Sequence, residues 1–203
     1  MNRYRQYADP YRDHVMSMDR RHAAMIRAFL LNIECPAGVI EVGSCYGVST
    51  AEILYACEER EFSCTLIDTH FQESIAAMAR EAAGRVQLVL DVGHSVGVLG
   101  DYLRPESVVV LDGDHRRAYM ELESEVIERR GEPRAIVLHD VTSQRPDCDG
   151  PAWLMHHWQR RGYFVAIDFL PREGERTDRG LAILCREAGD AEMAARAMCA
   201  DGF

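Results

Sequence analysis

Short apolar runs rich in Val, Ile and Leu alternate along this chain with longer amphipathic stretches. Such runs suit strands buried on both faces, and their alternation with helical periodicity predicts a parallel sheet covered on both faces by helices. The spacing predicts strands over Gly38–Val42, Cys64–Ile67, Val86–Leu90, Ser107–Leu111, Ala135–Leu138, Tyr163–Ile167 and Leu181–Cys185. Helices are predicted over 47–59, 72–83, 95–103, 117–130 and 152–161, with one more at 18–32 ahead of the first strand. The fold class is therefore α/β. No repeat, low-complexity tract or Ser/Gly/Pro-rich linker divides the 203 residues, so 1–203 reads as a single domain. Residues 1–32 form an N-terminal helical segment able to act as a lid, and 186–203 a C-terminal tail. Two charged, turn-rich loops stand out, Thr142–Gly150 and Pro171–Asp178, the first directly after a strand, where α/β proteins build their sites.

Hydrophobic residues make up 47% of the chain and charged residues 28%, a globular mix that excludes disorder and coiled coil. A net charge of −10 repels phosphate backbones and anionic lipid, so neither nucleic acid nor membrane is an expected partner. The first 17 residues contain no signal-like apolar core, and no window approaches the roughly 18 apolar residues that span a bilayer, so a cytoplasmic protein is expected. Seven cysteines, at 35, 45, 57, 64, 148, 185 and 199, form no CxxC pair or zinc spacing and read as reduced thiols.

The richest signal follows the first strand. Glu41-Val42-Gly43-Ser44-Cys45-Tyr46-Gly47 leads from a buried strand into a helix, and glycines there permit tight geometry and close ligand approach beside free helix N–H groups. This is a cofactor-binding turn. The dinucleotide pattern GxGxxG would need glycines at 45 and 48, where Cys45 and Val48 stand, which counts against NAD. Further along, strands end in Asp68, in Asp112-Gly-Asp-His115 and in His139-Asp140.

These segments, in this order, resemble the class I S-adenosylmethionine (SAM)-dependent methyltransferases. Glu41 to Ser49 follows the E-x-G-S-x-x-G-x-S variant of the family's glycine motif, with Cys45 in place of the middle glycine. Gly93-His94-Ser95 resembles the family's GDS segment beside the adenine, with His94 replacing the acid and Asp91 a substitute for it. The D-G-x-H and H-D segments resemble the small, often metal-dependent family-24 type, which includes sugar and natural-product O-methyltransferases. The resemblance covers about residues 35 to 185. It implies a Rossmann-like seven-stranded sheet of order 3-2-1-4-5-7-6 with the last strand antiparallel. It implies SAM binding by Glu41, Gly43, Ser44, Cys45, Gly47, Ser49, Asp68, Asp91, Gly93, His94 and Asp112, with Asp68 accepting hydrogen bonds from the ribose hydroxyls.

Methyl transfer from a sulfonium needs alignment and a deprotonated acceptor. In the strand order that the resemblance implies, Asp112 and Asp140 end adjacent strands and can converge on Mg²⁺ or another divalent cation, with His139 as a ligand or orienter. An imidazole titrating near neutrality can serve as general base, and the resemblance makes His115 the first choice, with His139 the second. Weaker candidates are Asp114, Asp147 and Asp149 for the metal, and Trp153 and His157 as an acceptor wall, His156 lying on another face of that helix beside Trp158. Met16, Met18 and Met25 read as core or lid packing, and Tyr4, Tyr7 and Tyr11 as a lid at helical spacing. The expectation is a SAM-dependent O-methyltransferase acting on a small molecule of sugar or natural-product type, with a homodimer open through the N-terminal segment or Ala191–Met198. Two other classes compete: a SAM-binding partner protein without activity, and a metal-dependent hydrolase on a Rossmann-like fold. An RNA methyltransferase is disfavoured by the acidic balance.

Overall fold

The computed structural model describes residues 1–35, 37–168 and 179–199. A short helix α1 (Arg5–Ala8), a single 3₁₀ turn and helix α2 (Arg20–Leu30) precede the sheet. Then follow β1 (Val39–Val42), α3 (Val48–Arg60), β2 (Cys64–Asp68), α4 (Glu73–Ala82), β3 (Leu88–Val92) and α5 (Ser95–Tyr102). The second half runs β4 (Val108–Leu111), α6 (Arg117–Arg130), β5 (Ala135–His139), α7 (Gly150–Arg160), β6 (Phe164–Asp168), β7 (Leu181–Cys185) and α8 (Ala188–Cys199). The strands form one sheet of order β3-β2-β1-β4-β5-β7-β6, parallel except for β7, which is antiparallel to both neighbours.

Two hydrophobic layers bury the sheet. One face packs on α2, α3, α4 and α8 through residues such as Ile26, Phe29, Leu54 and Met78. The other packs on α5, α6 and α7 through Leu99, Ile127 and Trp158. The central strands β1, β4, β5 and β7 are buried along their whole length, which is why they read as unbroken apolar runs. Strand β3 is an edge with Val89, Leu90 and Val92 exposed, and it lies two residues later than the apolar run Val86–Leu90 suggested. Its register against β2 (Cys64↔Leu88) sets its start, while Val86 packs in the preceding turn, hydrogen-bonded to Ala82.

Register matters most at the C-terminal edge of the sheet. Val42 pairs with Leu111 and Leu111 with Leu138, so the residues immediately following, Gly43, Asp112 and His139, come level with one another. The N-terminal tyrosines differ from the expected lid. Tyr4 is fully buried with its hydroxyl donating to Glu58, because the segment packs down on α3, and Tyr7 reaches Glu81. Tyr11 stacks on Tyr46 of the glycine turn at 4.7 Å. Met18 and Met25 are core, whereas Met16 is exposed. No described helix is long and apolar enough to cross a membrane.

Candidate active site

A cavity of about 530 Å³ opens at the C-terminal edge of the sheet, where β1, β2 and β4 end. That size falls within the ~300–1,000 Å³ of small-molecule sites. One side is the glycine turn. Residues 43, 45 and 47 all take left-handed φ (85°, 46° and 88°), so the G-x-G-x-G spacing has a backbone reason. A side chain at Gly43 would meet the backbone of Asp112, its Cβ only 2.4 Å from the carbonyl oxygen. Cys45 holds the left-handed conformation without being glycine, and its N–H donates to Asp68 Oδ2 at 3.2 Å beside that of Ser44 at 2.9 Å. Asp68 thus clasps the turn while its side chain borders the cavity.

Glu41 has a different job. It is fully buried, and its two carboxylate oxygens accept the hydroxyls of Ser49 and Thr50 at 2.5 and 2.6 Å, locking β1 to the first turn of α3. Burial raises its pKa to about 7, against the two hydroxyl hydrogen bonds. Of the residues expected at the cofactor, Ser44 and Gly47 in the turn and Glu41 and Ser49 beneath it are not on the cavity wall. Asp91 is also off the wall. Its Oδ2 accepts the Tyr102 hydroxyl at 2.7 Å because the residue lies within the edge strand, not past its end. Gly93, His94 and Ser95, by contrast, border the cavity, Ser95 donating its hydroxyl to the buried Glu123.

The opposite side carries a row of acid and imidazole groups. Asp112 Oδ1 accepts from His139 Nδ1 at 3.1 Å and from His115 Nε2 at 3.3 Å. Burial opposes ionisation of Asp112, but the two histidines outweigh it and hold the carboxyl well below its usual range. Burial likewise opposes charge on His115, yet the hydrogen bond and charge of Asp112, joined by Asp140, raise its pKa above 6.5. His139, 1% exposed, is raised as well, burial being overcome by the charge and hydrogen bond of Asp112. Asp140 sits in a left-handed turn (φ 59°), nearly buried, with Oδ2 accepting from Arg145 at 2.8 Å and Arg179 Nε 3.7 Å from Oδ1.

Residues 40–141 match the sequence profile of a methyltransferase domain, the one numbered 24. The chain belongs to this methyltransferase family. Solved structures share its fold at low identity. Cofactor-bound Rv0187 from MTB superposes with a TM-score of 0.61 at 17% identity, covering 91% of this chain and 88% of that one. The SAH-bound methyltransferase PaMTH1 of Podospora anserina gives 0.54 at 15%, covering 90% and 86%. An rRNA methylase from Streptococcus thermophilus gives 0.53 at 14%, covering 79% and 93%. Among curated protein sequences none matches significantly.

Family membership makes SAM the cofactor, and the cavity fits it. Gly43 and Cys45 offer backbone at the bottom of the site, Asp68 a carboxylate at the end of β2, and Gly93 and His94 a wall beyond it. The expected Mg²⁺ ligands fit less well. His115 Nε2 stands between the carboxylates, 3.3 Å from Asp112 and 3.9 Å from Asp140, so a cation between them displaces that ring. Asp140 is already neutralised by Arg145, and His139 offers a buried nitrogen where Mg²⁺ prefers oxygen. Arg145 and His115 already give this acid pair positive or hydrogen-bonding partners.

Of the remaining expectations, His139 and Asp114 border the cavity and the other described residues do not. His139, 1% exposed, borders the cavity beside Asp112, which its Nδ1 meets at 3.1 Å. Asp114 is on the cavity wall with its carboxylate held by Arg116, whereas Asp149 accepts the backbone N–H of Arg117 and Asp147 is exposed. Trp153 and His157 stack on each other at 5.0 Å with His157 bound to Glu128, against α6 rather than over the cavity. The loop Pro171–Asp178 lies outside the described residues. Four residues were missed. Arg145 and Arg179 flank Asp140, Arg179 also donating to the carbonyls of Val15 and Ser17, and His22 and Asp168 continue the row beyond His139. An Asp at the end of β6 and a His at the start of α2 were the available signals.

Proposed function

We propose that this chain transfers the methyl group of SAM to a hydroxyl oxygen of a small molecule, with His115 as the general base. The observation that carries the reading is the His115–Asp112–His139 row, bordering the same cavity as Gly43 and Asp68. Bound SAM supplies a methyl on a cationic sulfonium, ready for in-line displacement by oxygen.

The protein's own groups do the rest. Asp112, ionised and fixed by two imidazoles, orients His115 so that Nε2–H is the donor and Nδ1 the basic nitrogen. A hydroxyl brought against His115 loses its proton to Nδ1 as the oxygen becomes nucleophilic. Asp112 and Asp140 then stabilise the imidazolium formed. Val15 and Met16, 65% and 64% exposed, place apolar side chains on the cavity wall. This favours an acceptor with an apolar part next to its hydroxyl. The test is transfer from isotopically labelled SAM to a panel of small phenols, sugars and hydroxy acids. Labelled O-methyl product that disappears in His115→Asn supports the reading, and N-methyl product alone, or full rate in His115→Asn, refutes it.

A further inference from the structure

On the far side of His139 from Asp112, two buried imidazoles face each other. His139 Nε2 lies 3.2 Å from Nδ1 of His22 on α2. The outer nitrogen of each ring is already committed, His139 Nδ1 to Asp112 and His22 Nε2 to Asp168 Oδ2, both at 3.1 Å. Ionised carboxylates only accept, so each outer nitrogen carries its hydrogen, and each inner nitrogen of a neutral ring is then a bare lone pair. At this distance the pair takes up either a proton, shared as an N–H···N hydrogen bond, or a metal ion bound by both nitrogens. The carboxylate of Asp19 is the third member, with Oδ2 3.9 Å from His22 Nδ1 and its ligand atom within 4.8 Å of that of His139. Asp19 is the N-cap residue of α2, yet its side chain makes no capping hydrogen bond.

We propose that Asp19, His22 and His139 form a binding site for a divalent transition-metal ion of the Zn²⁺ class, separate from the Asp112–Asp140 pair. The ligand chemistry fits: two neutral imidazoles and one carboxylate suit zinc and its neighbours rather than Mg²⁺. The spacing fits too, since bonds of about 2.0–2.1 Å in a tetrahedron separate ligand nitrogens by roughly 3.3 Å. Asp19 closes the remaining gap by a small shift of a part-exposed carboxylate, 24% accessible. Each imidazole has the carboxylate partner that fixes the tautomer and orientation of a metal-ligating histidine, Asp168 for His22 and Asp112 for His139. An ion here ties α2 to β5. The segment just ahead of α2 brings Val15 and Met16 to the cavity, so the ion also fixes that wall. The site stands whether or not the methyl acceptor is a hydroxyl.

The experiment uses the full chain, stripped of metal with EDTA, titrated with Zn²⁺ by calorimetry and with Co²⁺ by visible absorption. The expected result is saturable uptake of one equivalent, with d–d bands of a low-coordinate Co²⁺ site and no thiolate charge-transfer band. Affinity should fall at least about tenfold in both Asp19→Ala and His22→Gln, and stay unchanged in Cys148→Ser, which removes the cysteine of the neighbouring His115–Asp140–Cys148 group. Asp19→Ala alters a part-exposed side chain that caps nothing, so it tests the site even if His22→Gln fails to fold. Absence of saturable uptake, uptake indifferent to Asp19→Ala, or uptake lost in Cys148→Ser overturns the proposal.

Discussion

His115 Nε2 lies 3.3 Å from Asp112 Oδ1, and the same oxygen also accepts from His139 at 3.1 Å. One carboxylate oxygen therefore holds two imidazoles, both bordering the cavity, His115 part-exposed and His139 almost fully buried. The arrangement sets a pH dependence whose sign follows from the shifts.

The pKa of His115 is raised, so the neutral ring that can act as a base is populated only above that raised value. The pH profile of kcat/KM should rise through an inflection above 6.5, where an unperturbed histidine would place it. Because His115 and His139 share Asp112, the inflection belongs to the pair. In Asp112→Asn the attraction that raises the pKa is lost, and the inflection should move to lower pH while kcat falls. His115→Asn should cost about 10²–10⁴ in kcat, the usual worth of a positioned base, with SAM affinity unchanged. A profile unmoved by Asp112→Asn refutes the link.

Asp68 offers its carboxylate to the cavity and also holds the turn through Ser44 and Cys45. Asp68→Asn retains one oxygen acceptor for those N–H groups but loses the charge. A hydrogen bond to a charged group is worth ~1.5–3 kcal/mol, so S-adenosylhomocysteine affinity measured by calorimetry should drop by roughly ten- to hundredfold. Equal affinity would place the ribose elsewhere.

The seven strands and the turn after β1 were legible because buried strands write themselves as apolar runs and left-handed turns select glycine, whereas the strand order and the antiparallel β7 came only from the family resemblance. The end of β2 was legible for the same reason, as Asp68 follows a buried run. What sequence spacing could not convey was side-chain direction. Glu41 and Asp91 both sit in motif-like positions, yet one locks α3 and the other bonds Tyr102 on an edge strand. His22 and Asp168 are 146 residues apart, and only the packing of α2 beside β5 and β6 makes them neighbours. Arg179 is equally remote from Val15, whose carbonyl it holds.

The glycine turn yields an asymmetric prediction. Gly43→Ala places a Cβ against the backbone of Asp112 at a φ of +85°, and backbone strain of this kind costs on the order of 1–3 kcal/mol, so thermal stability and SAM binding should fall together. Cys45→Gly relieves a left-handed strain of about 1–2 kcal/mol and incurs about 0.5–1 kcal/mol of chain entropy, so its melting temperature should match or exceed that of the parent chain. A strongly destabilised Cys45→Gly would mean that the thiol itself supports the turn.

Glu41 gives the clearest linkage test. Burial raises its folded-state pKa from 4.5 to about 7, so the folded chain holds that proton more tightly than the unfolded chain does. Stability from this group is therefore present below 4.5 and lost as pH rises towards 7, a change on the order of 3 kcal/mol if the whole shift is expressed. Glu41→Gln removes the titration while keeping one oxygen to accept a hydroxyl and an amide to meet the other. The variant should be close to the parent in stability at acidic pH, more stable than it at pH values above the raised pKa, and nearly unchanged in S-adenosylhomocysteine affinity. Chemical denaturation at several pH values measures the first two, and calorimetry the third. If the stability difference did not grow with pH, the carboxylate would be ionised at little cost in its native pocket. If affinity collapsed instead, Glu41 would belong to the cofactor site despite lying behind the turn.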